Sequence, residues 1–225
     1  MRAIESSSSS NTLSWQAINL AEVISVVLSI LLVEWALAPF AVSPWLLGGP
    51  PLLAFLLMLY SHRCRGETAQ MLGFGGRYFN RALLLLAGPT LLAIAALIFV
   101  SYLAHSLHLP DRFWARLSLL PLWALLQQYT MLGFSYRRLR QFLHPYQAII
   151  ITAGLFALVH APNVPLMILT FLGGLIWGFV YERVPNLFAS AISHLLLSAT
   201  VLVAAPEWVL PSMTVGYRYL LYHSF

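Results

Sequence analysis

Residues 82–104 read ALLLLAGPTLLAIAALIFVSYLA, a run without a single charged side chain. An α-helix needs about 20 mainly apolar residues to cross a bilayer, so this run predicts a membrane-spanning helix. Comparable apolar runs lie at 15–39, 45–60, 117–134, 146–160, 166–181 and 187–205. The pattern predicts an all-α fold, a polytopic transmembrane helical bundle of about seven to eight spans.

The composition of the 225-residue chain is that of an integral membrane protein. Hydrophobic residues make up 60% of the chain, charged residues only 8%, and the mean hydropathy is +0.81. All 12 basic residues are arginines, and they cluster between the apolar runs instead of forming a basic stripe. This arrangement favours the lipid bilayer as a partner and excludes nucleic acid. The single cysteine, Cys64, can form no internal disulfide.

The chain is predicted to hold one membrane domain at residues 15–205, between a polar tail at 1–14 and an aromatic tail at 206–225. The first apolar run lacks a small-residue cleavage site, so we expect no cleaved signal peptide. Arginines are concentrated in the loops after the second, fourth and sixth runs, which share one side of the membrane. Because such loops stay in the cytoplasm, we expect a multi-pass protein of the cell (plasma) membrane with a cytoplasmic N-terminus.

Three polar clusters interrupt the apolar runs. They are Gln127 with Gln128, the FALVH segment at 156–160, and His194 with Ser198. Polar side chains within a membrane span are costly and usually have a partner or a task. Helical spacing places His194 and Ser198 on one face, and the clusters converge in depth along their helices. We therefore expect two imidazoles and two amides to line one intramembrane cavity.

These clusters resemble the motifs of the CPBP family, the CAAX protease and bacteriocin-processing group that includes type II CAAX prenyl endopeptidases. The family's first motif is Glu-Glu-x-x-Phe-Arg-Gly leading to Arg-Arg-Leu, which is similar to QQYTMLG at 127–133 and RRL at 137–139. Its second motif, Phe-x-x-x-His, is matched by Phe156 and His160. Its third, His-x-x-x-Asn, is matched by His194 with Ser198 in the Asn position. Three motifs in order, over residues 66–200 of a polytopic chain, are fairly specific.

The resemblance implies an intramembrane endopeptidase, a hydrolase that cleaves a peptide bond of a membrane-anchored or prenylated substrate. It also implies the site residues, which are Gln127, Gln128, His160, His194 and Ser198. In such enzymes a carboxylate takes the proton of a water, while imidazoles orient that water, stabilise the oxyanion or bind a metal. His160 and His194 are thus the candidate metal ligands for a divalent ion such as Zn, although a catalytic zinc site normally needs a third protein ligand.

The acidic pair of the family motif is absent from this chain. An amide cannot act as a general base at neutral pH, so Gln127 and Gln128 cannot perform the role of the two glutamates. Leu132 replaces the motif arginine, so the acids and their cationic partner are lost together. Glu22 and Glu34 lie on the first apolar run, about 120° apart, so at most one is expected to face the cavity. Glu22 is the better candidate for a substitute base, because an ionisable group in a span is a functional hypothesis by default. The alternative is that Glu22 pairs with an arginine at a helix end.

Other polar and aromatic residues receive simpler interpretations. His62 falls near a predicted loop and is expected at the surface. Trp177 and Tyr181 fit an aromatic belt at the membrane interface. The glutamine pair itself is also consistent with interhelical hydrogen bonding, which is worth about 0.6–2 kcal/mol in membranes.

Three functions stay open from the sequence. The first is a CPBP-type intramembrane peptidase with an unusual base, whose cleavage would require both histidines. The second is a catalytically silent family member, a pseudoenzyme that acts as a peptide- or membrane-protein-binding, immunity or maturation partner, whose function would survive loss of both histidines. The third is a membrane protein that binds or converts an isoprenoid or another lipid in a cavity rich in methionine and aromatic residues.

Overall fold

The computed structural model describes residues 2–40, 43–206, 208–210 and 212–223, with the backbone alone at residues 2–13 and 222–223. All regular structure in these ranges is helical. The α-helices are α1 (Arg2–Leu31), α2 (Pro44–Cys64), α3 (Phe79–Leu103), α4 (Phe113–Gln128), α5 (Arg137–Leu139), α6 (Pro145–Leu158), α7 (Val164–Arg183), α8 (Leu187–Ala204) and α9 (Gly216–His223). Two π-helical segments continue α1 and α4, π1 (Leu32–Leu37) and π2 (Tyr129–Tyr136).

The prediction of a helical membrane bundle is confirmed. Each of the seven apolar runs lies in a helix. Within the described residues, five helical segments are long and apolar enough to cross a membrane, namely Ser14–Leu37, Pro44–Cys64, Phe79–Leu103, Val164–Arg183 and Leu187–Ala204. The fourth run continues from α4 through π2, and the fifth forms the shorter apolar helix α6. The predicted polar tail forms the first part of α1, which begins at Arg2.

Asparagine caps fix the start of the two helices that follow the histidine motif. The side chain of Asn163 accepts a hydrogen bond from the backbone N–H of Leu166 at the start of α7. The side chain of Asn186 accepts one from Ala189 at the start of α8. Such caps satisfy backbone donors that have no partner inside the helix. Asn186 also donates to backbone carbonyls of the loop before α3, so the cap ties α8 to that loop.

Small residues let α6 and α7 approach each other closely. A Cβ added at Gly174 of α7 would lie 3.0 Å from the Cβ of Ala153 on α6. One added at Gly178 would lie 3.1 Å from Ile149. Close backbone approach at small residues is a common way to pack helices in a membrane. The contact holds α6, which carries the second motif at its end, firmly against α7.

A buried ion cluster joins α1, α2 and α5 at the arginine-rich end of the bundle. Its centre is Arg138, whose side chain is 0% exposed. Arg138 pairs with Glu22 at 3.1 Å and with Glu67 at 2.8 Å, and its guanidinium lies 4.9 Å from the centre of the Phe134 ring. Arg65 pairs with the same Glu22 at 3.0 Å. The cluster therefore neutralises charges that would be costly to bury alone.

Glu67 is held by the same cluster from the loop after α2. Its carboxylate pairs with Arg137 at 2.6 Å and lies 2.6 Å from Nδ1 of His62. Burial by itself works to raise the pKa of Glu67. The hydrogen bonds from His62 and Arg137, with the positive charge of Arg138, outweigh that effect and hold the pKa well below its usual range. The carboxylate is therefore charged throughout the physiological pH range.

We expect the folded protein to lose stability as the pH falls through the acidic range. A carboxyl group whose pKa is lower in the folded than in the unfolded chain contributes stability above its unfolded pKa of about 4.3, and this contribution disappears as the pH drops further. Glu67→Gln should flatten that dependence in thermal unfolding of the detergent-solubilised protein between about pH 3 and 7. Asp111→Asn, at an exposed loop position, is the matched control. An unchanged pH profile for Glu67→Gln would contradict the assignment.

His62 corrects one expectation from the sequence. It was expected at the surface, but it is buried, at 4% exposure, and forms part of the ion cluster. His62 lies near the end of α2, where its ring contacts the buried charged side chains of Glu67 and Arg138. These contacts hold the ring inside the bundle, because buried charges need polar partners.

Candidate functional site

Gln128 and His194 form the central contact of the site. Gln128, at the end of α4, is 0% exposed, and its amide nitrogen donates to Nδ1 of His194 on α8 at 3.2 Å. An amide nitrogen can only donate, so Nδ1 of His194 accepts and its Nε2 carries the ring proton. The amide oxygen of Gln128 is buried and has no hydrogen-bond partner within the described residues. The site thus contains an acceptor that is still available to a ligand.

His160 lies beside this pair with the opposite proton arrangement. Nδ1 of His160 is 2.6 Å from the backbone carbonyl of Phe156, one turn earlier. Because a carbonyl only accepts, Nδ1 donates, and Nε2 of the neutral ring is left as an acceptor. Neither Nε2, of His160 or of His194, has a hydrogen-bond partner among the described residues. One histidine therefore offers an acceptor and the other a donor.

Aromatic rings bring the two histidines together. The Phe156 ring is 4.9 Å from the His160 ring and 5.9 Å from the His194 ring, centre to centre, in edge-on contacts. The Trp177 ring lies 4.7 Å from the His194 ring and 6.2 Å from the Phe156 ring. Packing of this kind fixes ring orientation and excludes water. Phe156 of the second motif thus positions both imidazoles.

A hydrogen-bonded chain holds Trp177 in place. Its indole N–H donates to the hydroxyl of Ser193 at 2.9 Å, and Ser193 lies 2.7 Å from the hydroxyl of Thr90 on α3. The chain links α3, α7 and α8 directly behind His194. Trp177 corrects a second expectation, because it is 3% exposed and packs in the site, not in an interfacial belt. Tyr181 is likewise buried and donates to the carbonyl of Leu72.

The structure separates the remaining predicted site residues into near and distant ones. Ser198 is buried on α8, one turn after His194, and its hydroxyl has no hydrogen-bond partner within the described residues. Gln127 is only half-buried, so Gln128 is the member of the pair that contacts His194. Glu22 lies in the ion cluster with Arg65 and Arg138, which supports the arginine-pairing alternative. Sequence reasoning did not assign Trp177, Ser193 or Thr90 to the site, and their spacing carried no signal of it.

Two other carboxylates of the membrane domain, Glu67 and Glu182, are also paired with arginines. Glu67 pairs with Arg137 and Arg138, and Glu182 pairs with Arg140 at 3.2 Å while accepting a hydrogen bond from Tyr136. All these pairs lie at the arginine-rich end. No hydrogen bond or ion pair joins Glu22, Glu67 or Glu182 to either histidine of the site within the described residues. These three carboxylates are therefore not placed to act as a general base there.

The residues present do not make a complete zinc site. A catalytic zinc ion normally has three protein ligands and one water. The described ranges contain no group of three or more His, Cys, Asp or Glu side chains that could hold a metal ion. His160 and His194 provide two imidazoles, and the third neighbour, Gln128, presents an amide that already donates to His194. Metal binding by the two histidines stays a prediction, and the donor set falls short of what zinc requires.

The helices that are long enough to cross a membrane define the class of the protein, a membrane-embedded helical bundle, and this bundle contains a buried pair of histidines. Residues 109–200 match the family model described as Type II CAAX prenyl endopeptidase Rce1-like. The matched segment contains all three motifs and supports membership of the CAAX protease family, the CPBP group. Searches of curated proteins and of solved structures gave no match.

Proposed function

We propose that this protein is a catalytically silent member of the CAAX protease family that binds a peptide segment of a membrane-associated protein. The observation that carries the proposal is the contact between Gln128 and His194. In the family the first motif supplies a carboxylate, whereas here an amide faces the histidine. The protein would keep the family's cavity and lack its proton acceptor.

Hydrolysis needs a group that removes the proton of the attacking water. The amide of Gln128 cannot do so, and Glu22, Glu67 and Glu182 are paired with arginines away from the histidines. The neutral imidazole of His160 offers one acceptor, but it has no carboxylate to stabilise the imidazolium that would form. The known chemistry of water activation therefore disfavours rapid cleavage.

The same groups are suited to binding a peptide. A peptide bond carries one donor and one acceptor, and the two Nε2 atoms offer one acceptor and one donor. The buried amide oxygen of Gln128 is a further acceptor, and leaving such a group without a partner costs about 1–3 kcal/mol. A bound peptide N–H would recover that cost. The apolar walls would accommodate a membrane-anchored or prenylated segment.

The proposed location is the plasma membrane, with the arginine-rich end and the N-terminus in the cytoplasm. The arginines of the ion cluster and of the loops after α2 and α5 support this orientation, because basic loops are retained on the cytoplasmic side. The peptide would then enter from a partner in the same bilayer.

The test compares capture and cleavage in one preparation. The purified protein in liposomes is given a library of membrane-anchored peptides, with and without a prenyl group, that carry a photo-crosslinker. Variants are the pair His160→Ala, His194→Ala and a surface control, His105→Ala, His108→Ala, at exposed positions. We expect no cleavage by any of the three proteins, and saturable capture by the wild type and the surface control. Capture by the site variant should be about tenfold weaker, since each lost hydrogen bond contributes about 0.5–1.5 kcal/mol.

A second candidate is an active peptidase with an unusual base, favoured by the meeting of His160 and His194 around Phe156. Cleavage by the wild type and the surface control, lost in the site variant, would establish that function. Absence of both cleavage and capture would overturn the peptide-binding proposal.

A further inference from the structure

An apolar groove runs along the outside of the bundle between α3 and α7. Its volume is about 530 Å³, within the range of pockets that hold small molecules. Leu85 and Pro89 of α3 form one wall, Leu175, Ile176 and Phe179 of α7 form the other, and Arg183 stands at one end. The length from Arg183 to Leu175 is eight residues of helix, or about 12 Å. The groove is separate from the histidine site, because Trp177 faces the bundle interior.

Among the described residues that line the groove, Arg183 alone is charged. Its guanidinium lies 3.4 Å from the centre of the Phe179 ring, and Nη1 donates to the carbonyl of Phe179 at 3.1 Å. The side chain is exposed and forms no ion pair with any described acid. These contacts hold a positive charge over the end of an apolar channel without neutralising it.

A second arginine lies on α3, one helical turn before the lining residue Leu85. Arg81 of α3 precedes Leu85 by four residues, so the two lie on the same face of the helix. Arg81 is exposed, and it too has no ion pair within the described part of the chain. Both arginines lie at the arginine-rich end of their antiparallel helices. The end of the groove is therefore flanked by two uncompensated positive charges, one from each helix.

We propose that this groove binds an anionic phospholipid, with an acyl chain between α3 and α7 and the phosphate at Arg183 and Arg81. Basic pockets between membrane helices, at the level of the head groups, are suited to such lipids. An arginine also matches the geometry of a phosphate, because its fork donates two parallel hydrogen bonds. A zwitterionic lipid fills the same channel but gains less, since its head group carries a compensating positive charge.

The test measures lipid retention by the purified full-length chain. Native mass spectrometry follows binding of phosphatidylglycerol and phosphatidylcholine with identical acyl chains. We expect wild type to prefer phosphatidylglycerol by about tenfold, because two arginines near the head groups attract its net negative charge. Arg81→Gln, Arg183→Gln should bring the two lipids close to equal affinity. The matched control is Arg112→Gln, Arg116→Gln, which removes two exposed arginines of the α3–α4 connection and α4.

A third variant tests the channel itself. Ile176→Trp fills the groove and should weaken binding of both lipids. A phosphatidylglycerol preference that is unchanged in Arg81→Gln, Arg183→Gln, or that falls equally in the control, would overturn the proposal. Retention of both lipids by Ile176→Trp would overturn the acyl-chain part. Peptide capture at the histidine site is measured on the same proteins. A failure of the lipid proposal is therefore distinguishable from a failure of the proposed peptide-binding function.

Discussion

Arg138→Ala is expected to destabilise the folded protein by about 3–5 kcal/mol, one of the two largest effects of a single substitution that we expect. The arginine is fully buried and pairs with Glu22 and Glu67 at once. Removing it leaves two carboxylates near the interior with one partner fewer, and an uncompensated buried charge is costly. The cation contact with Phe134 is lost as well. The contacts that hold α1, α2 and α5 together would be lost.

The measurement is unfolding of the purified variant in mixed detergent micelles, by heat and by denaturant. Arg140→Ala is the matched control, because it removes an arginine two residues away, nearer the surface. The Arg140–Glu182 pair is partly exposed, with side-chain exposures of 39% and 29%, so its loss should cost only about 0–1 kcal/mol. Equal costs for the two variants would show that the cluster around Arg138 contributes no more than an ordinary surface pair.

The helical bundle could be predicted from the sequence because membrane spans are set by length and hydropathy alone. Runs such as 82–104 are long, apolar and uncharged, and a helix is the structure that satisfies backbone hydrogen bonds in lipid. The family motifs likewise identified His160 and His194, since their spacing is retained. Features that depend on single contacts, such as the packing of Trp177 against His194, leave no comparable pattern in the sequence.

The choice between the two glutamines illustrates why part of the site could not be predicted. Around Gln127 and Gln128 the sequence is apolar on all sides of the helix, so periodicity does not distinguish the face that packs inward. In the structure Ala124 and Gln128 are buried together on one face of α4, and the helix changes to π geometry at Tyr129. A π-helical segment shifts the register of the residues that follow. Only tertiary packing reveals which amide contacts His194.

The ion cluster was equally hidden from the sequence. Glu22 and Arg138 are 116 residues apart, and their pairing depends on how α1 crosses α5. An arginine count predicts which loops share a side of the membrane but not which arginines are buried. The cluster also shows how Glu22 and Glu67 are used: they pair with arginines at the arginine-rich end and do not contact the histidine site.

Gln128→Glu is expected to destabilise the protein by about 3 kcal/mol at neutral pH. The side chain is fully buried, and Leu132 occupies the position where the family motif has its arginine. A carboxylate placed here would have His194 as its polar neighbour and no permanent cation. Gln127→Glu is the matched control, because that side chain is only half-buried and should cost under about 1 kcal/mol.

A double-mutant cycle tests whether the acid and its cationic partner form one unit. Adding Leu132→Arg to Gln128→Glu should recover about 1–3 kcal/mol relative to the sum of the single changes, because the two charges would lie about one helical turn apart. Chemical unfolding in mixed micelles gives the coupling free energy. If Gln128→Glu costs no more than Gln127→Glu, the site has kept the means to hold an acid. The physical basis for a silent site would then be lost, since one substitution would restore the family's carboxylate without a penalty.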